Sequence, residues 1–94
     1  MPALSKADIE HRLPEISGWR LEGGELRAAF KFADFKQAMS FVIRIADAAE
    51  QAQHHPDIDI RYNTVNLGLS THDEGGITDK DFALAVQVNQ ISHL

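Results

Sequence analysis

Two alternating apolar segments constrain the fold of this chain more than any other feature of its sequence. The alternating apolar residues are Ile58, Ile60, Tyr62, Val65, Leu67 and Leu69. A period of two is typical of β-strands with one buried face. A two-residue turn at Asn63–Thr64 would pair Tyr62 with Val65 and bring all six side chains to the same face. We therefore predict an antiparallel hairpin, and its register, extended to the base, sets His55 opposite His72.

The segments before this hairpin predict a short helix followed by two strands. Ser5 and Asp8 form a capping signal for the helix. A short strand at residues 19–21 and an alternating apolar strand that begins at Leu26 flank a turn at Gly23–Gly24. These elements indicate a second antiparallel hairpin.

The longest predicted helix runs from about Phe35 to Gln53, after a capping box formed by Asp34 and Gln37. Its apolar positions cover roughly 220° of the helix circumference, which is about twice the stripe needed to cover one sheet. The excess indicates a second partner for the helix, either another helix or another subunit. We assign Phe41 to this excess arc.

The last predicted helix begins after a capping residue, Thr78, and runs from Asp79 to about Ile91. Asp81 lies in its first turn, where a carboxylate suits the helix dipole, so helix stability alone could explain this residue. The element order is α-β-β-α-β-β-α. Hairpins and alternating strands favour an α+β fold, a two-layer sandwich of an antiparallel sheet with helices packed on one face.

Composition excludes several function classes. The chain has 94 residues, a formal net charge of −5 and no cysteine. This length fits one compact domain. The negative charge argues against nucleic-acid binding through phosphate neutralisation. The absence of cysteine excludes thiolate nucleophiles and cysteine-ligated zinc. No segment predicts a signal peptide or a membrane span, so we expect a cytoplasmic protein.

Three of the five histidines lie in two short segments, His54–His55 and His72. Imidazole has an ordinary pKa of about 6.5, so three converging rings would form a proton-transfer site or a metal site. Glu50 lies one helical turn before His54 and could contact it. The alternative is a pair of partly exposed loop histidines. No His-Glu-x-x-His spacing indicates a metal, and proton transfer is the simpler hypothesis.

The same segments carry a family resemblance that spans nearly the whole chain. Its residues are Gly18–Trp19, Phe30, Phe32, Phe35, Ala49–Glu50, His54–Asp57, Tyr62–Asn63, Val65, Leu69, Thr71–Asp73, Gly76, Thr78, Asp81 and Leu84–Ala85. Together they resemble the pterin-4a-carbinolamine dehydratase family. The resemblance implies one such domain over residues 1–94, a four-stranded antiparallel sheet with helices on one side, and assembly into a homodimer or homotetramer.

The resemblance implies a hydro-lyase that removes water from 4a-hydroxytetrahydropterin to give quinonoid dihydropterin. This reaction regenerates the reduced pterin that aromatic amino-acid hydroxylases use. The residues it implies as catalytic are His54, His55 and His72, with Glu50 and Asp81 in supporting positions. The residues it implies for pterin binding are Ile58, Tyr62, Ser70, Thr71 and Asp73, where Ile58 replaces a tryptophan common in the family. No metal or other cofactor is implied.

Some members of this family also serve as dimerization cofactors of a homeodomain transcription factor. A protein-binding module or transcriptional coactivator is therefore the alternative function, and a hydrolytic zinc enzyme is a third. The expected partners are a small-molecule pterin, further copies of the chain and, through its pathway, an aromatic amino-acid hydroxylase. The intact set of three histidines favours the enzyme.

Overall fold

The computed structural model describes residues 2–93, so positions 1 and 94 of the expected domain lie outside the described residues. The helices are α1 (Lys6–Arg12), α2 (Phe35–Ala52) and α3 (Asp79–Ser92), with short 3₁₀ turns at Leu13–Glu15 and His72–Glu74. The strands are β1 (Arg20–Glu22), β2 (Glu25–Lys31), β3 (Asp57–Arg61) and β4 (Thr64–Leu69). They form one antiparallel sheet in the order β1-β2-β4-β3. The predicted α+β fold is confirmed.

One face of this sheet carries the core. Leu26, Ala28, Val65, Leu67 and Leu69 are buried and alternate with polar or smaller residues along β2 and β4. Helical residues such as Ile45, Phe82 and Val88 belong to the same buried cluster. None of the helices within residues 2–93 is long and apolar enough to cross a membrane.

The predicted hairpin exists, but its register is shifted by two residues. Ile58 pairs with Leu67 and Ile60 with Val65, around a turn at Tyr62–Asn63. A shift of two keeps the same side chains on the same face, so the apolar alternation cannot distinguish the two registers. The turn decides instead, because Tyr62 adopts a φ of 51°. Continued to its base, the observed register sets His55 opposite Ser70, and the predicted pairing of His55 with His72 is wrong.

Asn63 anchors this turn to the chain that precedes α2. Its side-chain amide donates to the carbonyl of Phe32 at 2.9 Å, and its own carbonyl accepts from the Phe32 amide at 2.8 Å. These two hydrogen bonds hold the tip of the hairpin beside β2 in the observed register.

Helix α2 begins at Phe35 as predicted, and the Asp34 carboxylate accepts from the Gln37 amide at 2.8 Å, which is the half of the predicted capping box that the structure shows. The assignment of Phe41 to an exposed arc is wrong, because Phe41 is only 3% exposed. Its ring lies 5.0 Å from that of Phe30 and 4.9 Å from that of Phe32. The large apolar residues that α2 leaves exposed are Phe35 and Ile43, at 50% and 60%.

We expect Phe41→Ala to lower the free energy of unfolding by about 3–5 kcal/mol, since it removes a buried ring and leaves a cavity between β2 and α2. Val86→Ala, at an exposed position of α3, should change it by less than about 0.5 kcal/mol. Urea-induced unfolding measures both. Equal losses in the two variants would show that the Phe41 ring does not hold the core together.

Candidate active site

One pocket lies where the end of α2, the end of β4 and the start of α3 meet. It has a volume of about 230 Å³ and is lined by the three histidines of the two segments together with Ser70, Thr71 and Asp73. The structure thus brings His54, His55 and His72 to one pocket. They meet through the chain beyond β4 and its 3₁₀ turn, not through the predicted cross-strand pairing.

The end of α2 positions the first two histidines. Gln53 adopts the left-handed conformation, with φ of 52° and ψ of 40°, and stops the helix. The amide of His54 still donates to the carbonyl of Ala49 at 3.1 Å. The chain then extends through His55 and Pro56 into β3. Because the backbone reverses at Gln53, the two rings lie in different environments, and the His54 side chain is 11% exposed while that of His55 is 60% exposed.

His54 contacts a completely buried carboxylate. Its Nε2 lies 2.5 Å from Oδ1 of Asp81, whose side chain has no exposed surface. The other oxygen of Asp81 accepts from the Thr71 hydroxyl and from the backbone amide of Thr78, both at 2.9 Å. Asp81, for which the resemblance implies a supporting position, does not line the pocket itself; it lies behind His54, where α3 begins.

Glu50 pairs with a different histidine from the one that helical spacing predicts. Its Oε2 lies 2.5 Å from Nε2 of His55. The reason is the left-handed residue Gln53, which ends the helix before His54 can continue the face that carries Glu50. Both members of the Glu50–His55 pair are mostly exposed, so water and salt screen their attraction.

Two of the five residues expected to bind substrate do not line this pocket. Ile58 lies instead beside a second cavity of about 250 Å³, along β2, β3 and β4. Tyr62 is mostly exposed and lies at the far end of β3. A strand advances about 3.3 Å per residue, so Tyr62 is carried away from the histidines at the strand's base. Within a single chain these two residues do not share the histidine pocket, and their role in pterin binding stays a prediction.

The second cavity has charged and apolar lining residues but no imidazole. Its charged residues are Glu25, Arg27, Asp57 and Asp59. A hydrogen bond from Asn66, and then one from Arg61, hold the pKa of Asp59 below its ordinary value. This cavity lacks a histidine, the side chain whose ordinary pKa lies nearest neutral pH, so it offers no comparable proton-transfer chemistry.

Sequence reasoning missed Lys80 and Gln53, which also line the histidine pocket. It also missed that Thr78, identified only as a helix cap, contacts the hydroxyl of Thr71 at 2.8 Å. The Thr78–Asp81 spacing was the available signal, because a carboxylate three residues after a capping threonine forms a capping box. Nothing in that spacing indicates that the carboxylate also reaches an imidazole.

The geometry suits proton transfer. Nε2 of His54 and Nε2 of His55 are each held by a carboxylate, and His72 lies on the same pocket. Across the described part of the chain, no three His, Cys, Asp or Glu side chains are arranged to hold a metal ion. That the site works without a metal stays a prediction.

Comparison with known proteins identifies one family. The sequence profile of the Pterin 4 alpha carbinolamine dehydratase family matches residues 2–91. A relative from Herpetosiphon aurantiacus is 53% identical over 97% of this chain and 95% of its own length. A relative from Roseiflexus sp. strain RS-1 is 51% identical over 94% and 95%. Both carry the provisional name pterin-4-alpha-carbinolamine dehydratase.

Two solved structures are similar in fold. A transcriptional coactivator/pterin dehydratase from Brucella melitensis superposes with a TM-score of 0.91 at 33% identity, covering 96% of this chain and 98% of that one. A pterin dehydratase-like protein described as a RuBisCO assembly factor in the alpha-carboxysome superposes with a TM-score of 0.69 at 26% identity, covering 80% and 89%. Proteins that share this fold are therefore described as a transcriptional coactivator/pterin dehydratase in one case and as a RuBisCO assembly factor in the other.

Proposed function

The chain belongs to the pterin 4 alpha carbinolamine dehydratase family, and on that premise we propose that it dehydrates 4a-hydroxytetrahydropterin by histidine acid/base catalysis. The product is quinonoid dihydropterin. The observation that carries the proposal is the convergence of His54, His55 and His72 on one pocket, with carboxylates against two of the rings. We propose that the reaction serves tetrahydropterin regeneration in the cytoplasm, beside an aromatic amino-acid hydroxylase.

The reaction needs a base at N5 and an acid at the hydroxyl group on C4a. The C4a–O bond breaks, the N5–H proton leaves to a neutral imidazole, and the departing hydroxyl takes a proton from an imidazolium to become water. The electron pair of N5 forms the new double bond to C4a, so no external oxidant or reductant takes part. A positioned acid or base typically contributes about 10²–10⁴-fold to such a step.

The remaining polar groups of the pocket suit pterin binding. Asp73 and Ser70 lie on the pocket with the histidines. The edge of a pterin carries an amino group and a ring N–H, which donate to a carboxylate or a hydroxyl oxygen. We propose that Asp73 and Ser70 orient the ring so that N5 and C4a face the imidazoles.

We expect His54→Ala and His72→Ala each to lower kcat by about 10²–10⁴-fold, since each removes a proton-transfer group. The double variant should lose less than the product of the two single losses, because groups that act as a unit are non-additive. Glu50→Gln should cost less than either, because Glu50 contacts His55 and transfers no substrate proton itself. Stopped-flow absorbance with chemically generated 4a-hydroxytetrahydropterin measures all four.

His11→Ala and His93→Ala are the matched controls, because these histidines do not line the pocket. Their activity should equal that of the wild type. A His72→Ala variant as active as these controls would remove His72 from the proposed mechanism.

We expect catalysis without a metal, because the substrate's own N5 electron pair expels the hydroxyl. Protein treated with a chelator should keep full activity, and elemental analysis should find no stoichiometric zinc. Loss of activity on chelation, restored by added zinc, would overturn the proposed acid/base mechanism.

We also propose that the chain forms a homodimer or homotetramer. The supporting observations are the exposed Phe35 and Ile43 on α2 and the exposed Ile58 on β3, which is an edge strand. Exposed apolar surface on a small domain favours association. An edge strand with free backbone groups favours it as well.

Ile43→Glu should dissociate this assembly without unfolding the chain, since the side chain is 60% exposed in the single subunit. Ala7→Glu, which adds the same charge at an exposed position of α1, should leave it intact. Light scattering at micromolar concentration reports the mass of each variant. A wild type that scatters as a 10.5 kDa monomer would refute the proposal, and a stoichiometric complex of that monomer with a different protein would favour the protein-binding alternative.

A further inference from the structure

We propose that Thr71 is a positioning residue, which with Thr78 fixes the orientation of the Asp81 carboxylate and thereby the tautomer of His54. The fixed tautomer carries its proton on Nε2 and leaves Nδ1 as the nitrogen that exchanges a proton with substrate. The last step rests on the proposed dehydratase function; the tautomer itself does not.

The hydrogen bonds around Asp81 have only one consistent direction. The amide of Lys80 donates to the hydroxyl oxygen of Thr78 at 3.2 Å, and that hydroxyl lies 2.8 Å from the hydroxyl of Thr71. The Thr71 hydroxyl in turn lies 2.9 Å from Oδ2 of Asp81. A carboxylate only accepts, so the Thr71 proton points to Asp81. The Thr78 proton must then point to Thr71, and every hydroxyl of the chain donates towards the carboxylate.

The three residues of this network are buried, which makes the direction of its hydrogen bonds energetically important. Thr78 and Asp81 have no exposed surface, and Thr71 is 8% exposed. Water therefore competes little for these groups, and a buried polar atom without a partner is costly. Every buried side-chain nitrogen and oxygen among the described residues has a hydrogen-bond partner. Reversing the network would take the Thr71 proton away from Oδ2 of Asp81, and a buried carboxylate oxygen that loses a donor is destabilised.

The orientation of Asp81 decides the protonation of the imidazole. Oδ2 accepts from two donors, the Thr71 hydroxyl and the Thr78 amide, so Oδ1 faces Nε2 of His54. Because Oδ1 can only accept, Nε2 carries a proton whether the ring is neutral or charged. The neutral ring is then a base at Nδ1, and the charged ring is an acid at Nδ1.

Helix capping does not account for this arrangement. A capping box needs Thr78 as the cap and Asp81 as the returning acceptor, and both contacts are present at α3. It needs neither His54 nor Thr71, which precedes Asp81 by ten residues. The cap of α2 shows the difference, because there Asp34 makes one exposed contact with the Gln37 amide. The hydroxyl of Thr71 is also occupied by Asp81 and Thr78, which argues against its expected role in binding substrate.

Asp81→Asn tests the tautomer directly. Two donors still face the Oδ2 position, so the amide oxygen takes that position and the amide NH₂ turns to His54. Nε2 must then accept, and the ring moves its proton to Nδ1. The capping contact to Thr78 survives, so the helix start is preserved. Long-range ¹H–¹⁵N correlation spectra of His54, recorded without substrate at a pH where the ring is neutral, should show an Nε2–H tautomer in the wild type and an Nδ1–H tautomer in the variant. The same tautomer in both would overturn the proposal.

Thr71→Val and Thr71→Ser test the positioning role. Valine keeps the shape and removes the hydroxyl, while serine keeps the donor. Thr71→Val should shift the ¹⁵N resonances of His54 in the free protein and lower kcat at nearly constant KM, by about the 10–100-fold that follows when a partner orienting a metal-bound histidine is removed. Thr71→Ser should restore both. A raised KM with unchanged His54 resonances would make Thr71 a substrate contact and overturn the proposal.

The two claims fail separately. An active wild type whose His54 tautomer is unchanged by Asp81→Asn would overturn the positioning role and leave the proposed reaction standing. An inactive wild type that still shows the tautomer reversal would overturn the proposed reaction and support the role of Thr71 and Asp81 in fixing the ring.

Discussion

The carboxylate of Asp81 is buried where three separate parts of the chain meet, and the rest of the site depends on how its charge is satisfied. A buried carboxylate is costly unless hydrogen bonds or an opposite charge compensate it. Here the compensation comes from Thr71 after β4, from the Thr78 amide at the start of α3 and from His54 after α2. Each donor can reach Asp81 only if its own element lies in place. These hydrogen bonds therefore hold the three parts of the chain together and also orient one imidazole in the pocket.

The two carboxylate–imidazole pairs differ because their surroundings differ. The Asp81–His54 pair is almost completely shielded from water, whereas Glu50 and His55 are 71% and 60% exposed. Electrostatic interactions are strong in a low-dielectric interior and weak at a screened surface. Asp81 is thus suited to fixing a ring rigidly, whereas Glu50 has a weaker, screened influence on an exposed ring. This contrast gives the histidines different chemical characters within one pocket, as a reaction that needs both an acid and a base requires.

Much of the fold follows from the sequence, because apolar periodicity and capping residues act locally. Asp34 and Thr78 cap the helices as predicted, and the alternation from Ile58 to Leu69 gives both strands. The register of the hairpin between β3 and β4 could not be predicted from the sequence, because a shift by two residues keeps the same side chains on the buried face. The candidate site could be predicted from the sequence only in part. His72 joins the other histidines, but Glu50 contacts a different ring from the one expected, since a single left-handed residue redirects the chain. The burial of Asp81 depends on long-range packing, which a capping motif alone does not reveal.

A crystal structure of this protein with a stable oxidised pterin tests whether the buried Asp81 builds a pterin site around His54. We expect the bicyclic ring to lie between His54, His55 and His72, with the Asp81–His54 contact intact and the Thr71 hydroxyl still on Asp81. A pterin bound in the second cavity beside Arg27 and Asp59, with no contact to any of the three histidines, would contradict it.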